Sequence, residues 1–223
     1  MDINQILQYL ALFCCILIVM PVHEFFHAYA AVKNGDYTPK MAGRYTINPL
    51  KHFDPLGLLM MVLVRFGWAK PVPINPGNFN HYKKGMFWVS ISGVLSNLAM
   101  AFATYPLFLL SLKIPDFLLF DDFIQWFFYF MWQFNIALFV FNLLPVFPLD
   151  GFRIVETFSK TRNKYLEFMY RYGSFVLLGL MLLHILASDM FPFLGYVDVL
   201  GYYMNYGTFA VSWPISAFWG LFF

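Results

Sequence analysis

The run Pro21-Val-His-Glu-Phe-Phe-His27 lies inside a stretch from Ile6 to Val32 whose only charged residue is Glu24. An apolar stretch of this length can span a hydrocarbon core of about 30 Å as a tilted helix. His23 and His27 are four residues apart, so on a helix their side chains lie one above the other on one face. Two imidazoles in this arrangement can hold one tetrahedral zinc ion from the same side.

Glu24 follows His23 directly and is therefore rotated by about 100° around the helix axis. This rotation places the carboxylate beside the metal instead of on it, where it can take a proton from an attacking water. An HExxH pattern alone also occurs by chance in soluble helices. Inside a membrane, however, a charged group costs roughly 2.5–3.5 kcal/mol, and this cost favours a functional cluster over a purely structural one.

The composition predicts an integral membrane protein. Hydrophobic residues make up 61% of the 223 residues and charged residues only 12%, whereas soluble proteins carry about 25% charged residues. The aromatic fraction of 22% suits lipid-facing surfaces and interfacial belts. The net charge of +2 says little about partners, and no basic run with interleaved aromatic residues indicates nucleic acid.

The apolar segments predict an all-α polytopic fold, a bundle of about five to six transmembrane helices. Four long helices are predicted at about 6–32, 85–112, 123–144 and 172–186. The second contains small residues that allow close helix approach, namely Ser90, Ser92, Gly93, Ser96 and Ala99. The tail after residue 190 is interrupted by glycines and prolines, so two interpretations stay open: a fifth span near 206–223, or a partly interfacial segment.

The segment between the first two helices has a different pattern. Leu56–Phe66 is apolar but too short to cross the membrane, and Trp68–Gly77 combines alternation with several prolines, which suggests extended or edge-strand backbone. We therefore expect a short membrane-associated β-hairpin or re-entrant segment here. An edge strand in the Pro71–Pro76 part can hold an extended substrate by β-augmentation.

The distribution of charge predicts an orientation. Lysines and arginines cluster in 33–84 and 153–171, while the connections 113–122 and 189–198 are mostly acidic. The positive-inside rule then places both basic segments in the cytosol and the N-terminus outside. His23 lies nine residues before Val32, at a depth of roughly 14 Å for a rise of ~1.5 Å per residue. The predicted site is inside the membrane, toward the cytosolic side.

A catalytic zinc ion usually has three protein ligands, and Asp150 is the candidate for the third. It follows a predicted helix that ends on the same side of the membrane as His27. Pro145 and Pro148 can turn the chain back toward the helices. The alternative is that Asp150 is the N-cap of a short helix over 151–158; the residues alone leave both interpretations open.

The motifs His23-Glu-Phe-Phe-His27 and Asn142-Leu-Leu-Pro…Leu-Asp-Gly151 together resemble the site-2 protease family of intramembrane zinc metalloproteases. Gly43–Gly57 and Phe66–Asn75 resemble the loop and hairpin of its compact prokaryotic members, so the resemblance covers most of 20–155. It implies one zinc ion as cofactor and Glu24 as the catalytic base. The ligands that it implies are His23, His27 and Asp150.

The family also carries a Gly-Pro-x-x-Asn pattern, which is Gly93-Val-Leu-Ser-Asn97 in this chain. Val94 replaces the proline, which weakens any role of a turn at Gly93 more than a role of Asn97. Asn97 and Asn142 are candidates for binding the substrate backbone or the developing oxyanion. Hydrogen bonding between helices is the alternative for both.

The resemblance further implies an endopeptidase that cleaves a transmembrane segment near the cytosolic side. Its partners would be a transmembrane protein or a signal-peptide-like substrate and the lipid bilayer, in a multi-pass protein of a prokaryotic cell membrane. Residues 1–223 would form a single domain, with a catalytic core of about 6–155 and additional helices in about 165–223.

Two other functions compete with this one. A membrane metal transporter would line a path with polar side chains from several helices, but the sequence offers little beyond one cluster. A non-catalytic, zinc-stabilised binding protein has no need of a base, so the presence of Glu24 argues against it.

Overall fold

The computed structural model of the chain describes residues 2–54, 57, 70–115, 119–159 and 163–223. None of these residues lies in a β-strand, so the all-α prediction is confirmed for them. The α-helices with described bounds are α1 (Ile3–Lys33), α2 (Thr38–Met41), α3 (Pro49–His52), α4 (Tyr82–Ser111), α5 (Leu119–Asn142), α6 (Asp150–Phe158), α7 (Lys164–Ile185) and α8 (Val199–Trp219).

Among the described residues, four helices are long and apolar enough to cross a membrane: Ile3–Lys33, Tyr82–Ser111, Asp121–Asn142 and Lys164–Met190. From Val199 to Trp219 the tail forms one continuous helix, α8, in which Gly201, Gly207 and Pro214 are internal residues. The helix continues through them, although an interior glycine costs about 1 kcal/mol and an interior proline about 3 kcal/mol. Further spans beyond the four, to a total of five or six, stay a prediction.

All four long helices begin earlier than hydropathy predicts, and in two of them a side-chain cap marks the start. Asp2 and Gln5 form a capping box, so α1 begins at Ile3. The Asn163 side chain accepts a hydrogen bond from the Leu166 N–H, and α7 therefore begins eight residues before the predicted start at 172. Hydropathy detects the apolar part of a helix, whereas side-chain caps decide where the helix begins.

The chain divides into two compact units, Met1–Asn135 and Ile136–Phe223, with the division inside α5. In the first unit α1 packs against α4 and the segment before it, through a core of Ala30, Ala31, Phe79, Met86 and Val89. The small residues of α4 behave largely as expected, since Ser90, Gly93 and Ser96 are buried while Ala99 is exposed. The single domain over 1–223 stays a prediction.

The predicted β-hairpin is wrong for the described residues. Residues 70–75 form neither helix nor strand, and Asn75 has extended backbone angles. Proline has no N–H, so Pro71 and Pro73 cannot donate to a ladder, and the Val72 N–H between them donates to the Glu24 carboxylate. The re-entrant prediction for 56–66 falls almost wholly on residues 55–56 and 58–69, outside the described residues.

Two further backbone N–H groups of this segment donate to residues that precede it in the chain. The Lys70 N–H donates to the His52 carbonyl at 2.7 Å, and the Asn75 N–H donates to Asp36 Oδ2 at 2.8 Å. The carboxylates of Glu24 and Asp36 and the His52 carbonyl therefore hold the segment.

Asp36, which accepts the hydrogen bond from the Asn75 N–H, is fully buried. Besides the Asn75 N–H, it accepts hydrogen bonds from the N–H and hydroxyl of Thr38 and from the Asn78 amide. Burial alone would raise the pKa of Asp36, but these hydrogen bonds outweigh it and hold the pKa below its usual range. The buried charge thus ties the segment 70–75 to the end of α1.

In the second unit, the chain after α5 folds back on itself. A Cβ atom added to Gly151 would lie 2.3 Å from the Leu143 carbonyl oxygen, so only glycine allows the start of α6 to lie against the end of α5. The hydroxyl of Tyr203 in α8 donates to the Val140 carbonyl of α5 at 2.9 Å. Asp150, the residue before Gly151, is fixed by this packing.

Candidate metal centre

The predicted histidine pair forms in the first unit on the interior face of α1. His23 and His27 are 6% and 8% exposed, and their Nε2 atoms are 3.0 Å apart. Their rings are nearly perpendicular, with centroids 4.5 Å apart. The helical spacing that the sequence predicted thus brings two imidazole nitrogens to one point.

The other ring nitrogen of each histidine faces an oxygen atom of α4. His27 Nδ1 lies 2.7 Å from the Val89 carbonyl oxygen, and His23 Nδ1 lies 2.6 Å from Asn97 Oδ1. An Nδ1–H that donates to an oxygen leaves the Nε2 atom as the metal donor of a neutral imidazole.

Gly93 provides the space for the two rings. A Cβ atom at this position would lie 2.5 Å from Cε1 and Nε2 of His27 and 2.8 Å from Cε1 of His23. The glycine is part of a continuous helix, α4, so its role is close approach and not a turn. This explains how the Gly-x-x-x-Asn part of the pattern persists without the proline.

The donor set fits zinc. Two nitrogen ligands of a tetrahedral zinc ion lie about 3.3 Å apart, close to the 3.0 Å that separates the two Nε2 atoms. Two Nε2 atoms at this distance cannot both carry protons. A cation that accepts the lone pairs of both nitrogens gives each of them a partner. Buried imidazoles whose second nitrogen is held by an oxygen are the usual surroundings of such an ion.

Glu24 is next to this pair in sequence and half-buried. Its Oε2 accepts a hydrogen bond of 3.0 Å from the Val72 N–H, so the segment 70–75 fixes the orientation of the carboxylate. The sequence predicted the base but not this partner, because a backbone N–H leaves no signal in the side-chain pattern.

Asp150 and Asn142 lie in the second unit. Asp150 is half-buried and is the first residue of α6. The N-cap position is Leu149, so the N-cap interpretation of Asp150 is wrong, while its assignment as a metal ligand stays a prediction. The Asn142 amide donates to the Leu138 carbonyl, one turn earlier in α5, and its role toward substrate also stays a prediction.

Sequence reasoning missed Asn135. This residue is fully buried in α5, where its Oδ1 accepts a hydrogen bond of 2.8 Å from the Asn97 amide. The available signal was a polar residue in an otherwise apolar helix, since such residues in membrane helices usually bond to a polar partner. The partner itself, 38 positions away in the sequence, cannot be read from periodicity.

Comparison with known proteins agrees with these observations. Residues 80–183 match the sequence model of peptidase family M50. The Bacillus subtilis (strain 168) protein named "Putative zinc metalloprotease YwhC" is 41% identical over 143 residues, which cover 63% of this chain and 65% of that protein. The chain thus spans just under two thirds of the length of this relative. No solved structure matches the chain.

The matched range 80–183 contains both Gly93 and Asn97, which line the histidine pair, and the candidate ligand Asp150. The HExxH motif precedes this range on α1 and provides the buried pair of imidazoles. Motif, geometry and sequence similarity agree: over residues 80–183 the chain is similar to peptidase family M50, and its motifs resemble the site-2 proteases.

Proposed function

We propose that this protein is a zinc metalloendopeptidase that hydrolyses a peptide bond within a transmembrane segment of its substrate, near the cytosolic side of a prokaryotic membrane. The observation that carries the proposal is the pair of buried Nε2 atoms 3.0 Å apart with a carboxylate on the intervening turn of the same helix. A metal transporter or a zinc-stabilised scaffold can share the histidine pair, but only a hydrolase needs the adjacent Glu24 as a base.

The proposed zinc ligands are His23, His27 and Asp150. The histidines are positioned by α4, as described above. Asp150 completes the usual set of three protein ligands, and the contact of Gly151 with the Leu143 carbonyl fixes its place at the end of α5. The sequence similarity to a protein named as a zinc metalloprotease supports zinc as the ion.

When bound, zinc supplies a Lewis acid that polarises a peptide carbonyl and makes a nearby water more acidic. Glu24 takes a proton from this water as the water oxygen bonds to the carbonyl carbon. As the C–N bond breaks, Glu24 gives the proton to the leaving amine nitrogen. The Val72 N–H holds one carboxylate oxygen throughout, so that the base stays oriented.

The substrate must present an unwound peptide, because a transmembrane helix engages its carbonyls in its own hydrogen bonds. Helix α1, which carries the histidines, is one of the four helices apolar enough to span a membrane. This position supports cleavage inside the bilayer by a multi-pass protein. A transmembrane protein or a retained signal peptide is the class of substrate that reaches such a site.

The proposal is tested by mapping where the purified protein cuts a panel of single-span substrates in lipid vesicles. Mass spectrometry of the products is expected to place the cut inside the hydrophobic segment, and 1,10-phenanthroline is expected to abolish it. A soluble peptide of flanking sequence serves as the control. Cleavage confined to the soluble flanks would refute the intramembrane part of the proposal.

A further inference from the structure

The orientation of the Asn97 amide decides which nitrogen of His23 can bind metal. An amide presents either an oxygen, which accepts, or an NH₂ group, which donates. If the oxygen faces His23 Nδ1, that nitrogen carries the proton and Nε2 keeps its lone pair. If the NH₂ group faces it, the proton moves to Nε2, which lies 3.0 Å from His27 Nε2, and the metal donor is lost.

The hydrogen bonds beyond Asn97 select the first orientation. The Asn135 amide lies 2.6 Å from the Met131 carbonyl oxygen, which can only accept, so Asn135 must point its NH₂ group there. Its Oδ1 then faces Asn97 at 2.8 Å and can accept only from the Asn97 NH₂ group. This leaves Asn97 Oδ1 facing His23 Nδ1 at 2.6 Å.

The donor and the acceptor of each hydrogen bond from Asn135 through Asn97 to His23 are therefore set by the Met131 carbonyl. Asn97 and Asn135 are both fully buried, so water does not compete for their amide groups. His27 reaches the same tautomer more simply, because its Nδ1 contacts the Val89 carbonyl directly. The two histidines thus present Nε2 to the same point by different means.

We propose that Asn135 is a positioning residue for the metal centre: acting through Asn97, it fixes the His23 tautomer that binds zinc, although it contacts neither histidine. The inference rests on the metal site of the proposed function but not on proteolysis. Its readouts are zinc affinity and the protonation of a histidine nitrogen, so it can fail while the peptidase proposal stands.

The expected result is that Asn135→Leu weakens zinc binding by about 10-fold or more, within the 10–100-fold range of residues that orient metal-binding histidines. Zinc affinity is measured on the purified protein in detergent by competition with a chromophoric chelator. Thr104→Val is the matched control, because it removes another buried side-chain bond to a backbone carbonyl in α4 and is expected to leave zinc affinity unchanged.

A rescue separates positioning from packing. The Asn97→Asp carboxylate has only acceptor oxygens, so it accepts from His23 Nδ1–H in either orientation and needs no partner to orient it. Asn97→Asp combined with Asn135→Leu is therefore expected to restore zinc affinity. Both variants carry the same change at position 135, and a purely structural defect would persist in both. A double variant that binds zinc no better than Asn135→Leu would overturn the inference.

A second readout does not require metal. In zinc-free protein labelled with ¹⁵N-histidine, the wild type is expected to show His23 protonated at Nδ1, and Asn135→Leu a mixture of the two tautomers. An unchanged tautomer in Asn135→Leu would also overturn the proposal.

Discussion

Replacement of Glu24 by glutamine is expected to lower cleavage of a membrane-spanning substrate by at least about 100-fold while zinc stays bound. Glutamine has the size of glutamate, and its amide oxygen can still accept the hydrogen bond from the Val72 N–H that the carboxylate accepts at 3.0 Å. It cannot take a proton from water at neutral pH, so the variant loses the base and little else.

The measurement compares bound zinc and substrate cleavage in the same purified samples. Glu167→Gln is the matched control, because Glu167 lies exposed in the first turn of α7 and has no place in the proposed mechanism. A Glu24→Gln variant that still cleaves would remove Glu24 as the base. Zinc flux across vesicles that survives in Glu24→Gln would instead support a transporter.

Gly93→Ala is expected to weaken zinc binding. The added methyl group would lie 2.5 Å from two atoms of the His27 ring. Neither ring can easily yield, because the Val89 carbonyl and the Asn97 amide, one turn to either side of Gly93, hold both rings against α4. Overpacking of this kind costs typically 1–3 kcal/mol. If this cost destabilises only the zinc-bound form, zinc affinity falls by roughly 5- to 150-fold.

Gly179→Ala is the control for this substitution. A Cβ atom at Gly179 meets nothing within 4 Å, and alanine is the better helix former by about 1 kcal/mol, so this variant is expected to retain zinc and to be slightly more stable. Zinc content after dialysis against a chelator, with a melting curve for each variant, separates loss of metal from unfolding. Normal zinc content in Gly93→Ala would show that the rings do not depend on this gap.

The part of the site that the sequence predicts is the part that depends on one helix. The spacing of His23 and His27 in an apolar helix predicts the buried pair and the adjacent base without knowledge of any other element. The role of Gly93 was harder to predict, because Val94 stands where the family pattern has proline, and this weakened the case for a turn at Gly93. Its actual role is steric and follows only from the approach of α4 to α1.

The errors have specific physical causes. Alternation and prolines suggested a hairpin that includes residues 70–75, but the same prolines remove donors that a hairpin needs, and the Val72 and Asn75 N–H groups bond to Glu24 and Asp36. Asn135 escaped notice because its importance depends on a buried partner in another helix. Such amide pairs are a matter of tertiary packing and not of local pattern.

We propose that one zinc ion is held by His23, His27 and Asp150, and zinc X-ray absorption on wild type and Asp150→Cys tests this most directly. The wild-type spectrum is expected to show nitrogen and oxygen ligands at about 2.0–2.2 Å, and the Asp150→Cys spectrum an additional sulfur at about 2.3 Å. Zinc that stays bound in Asp150→Cys with no sulfur ligand would contradict the claim.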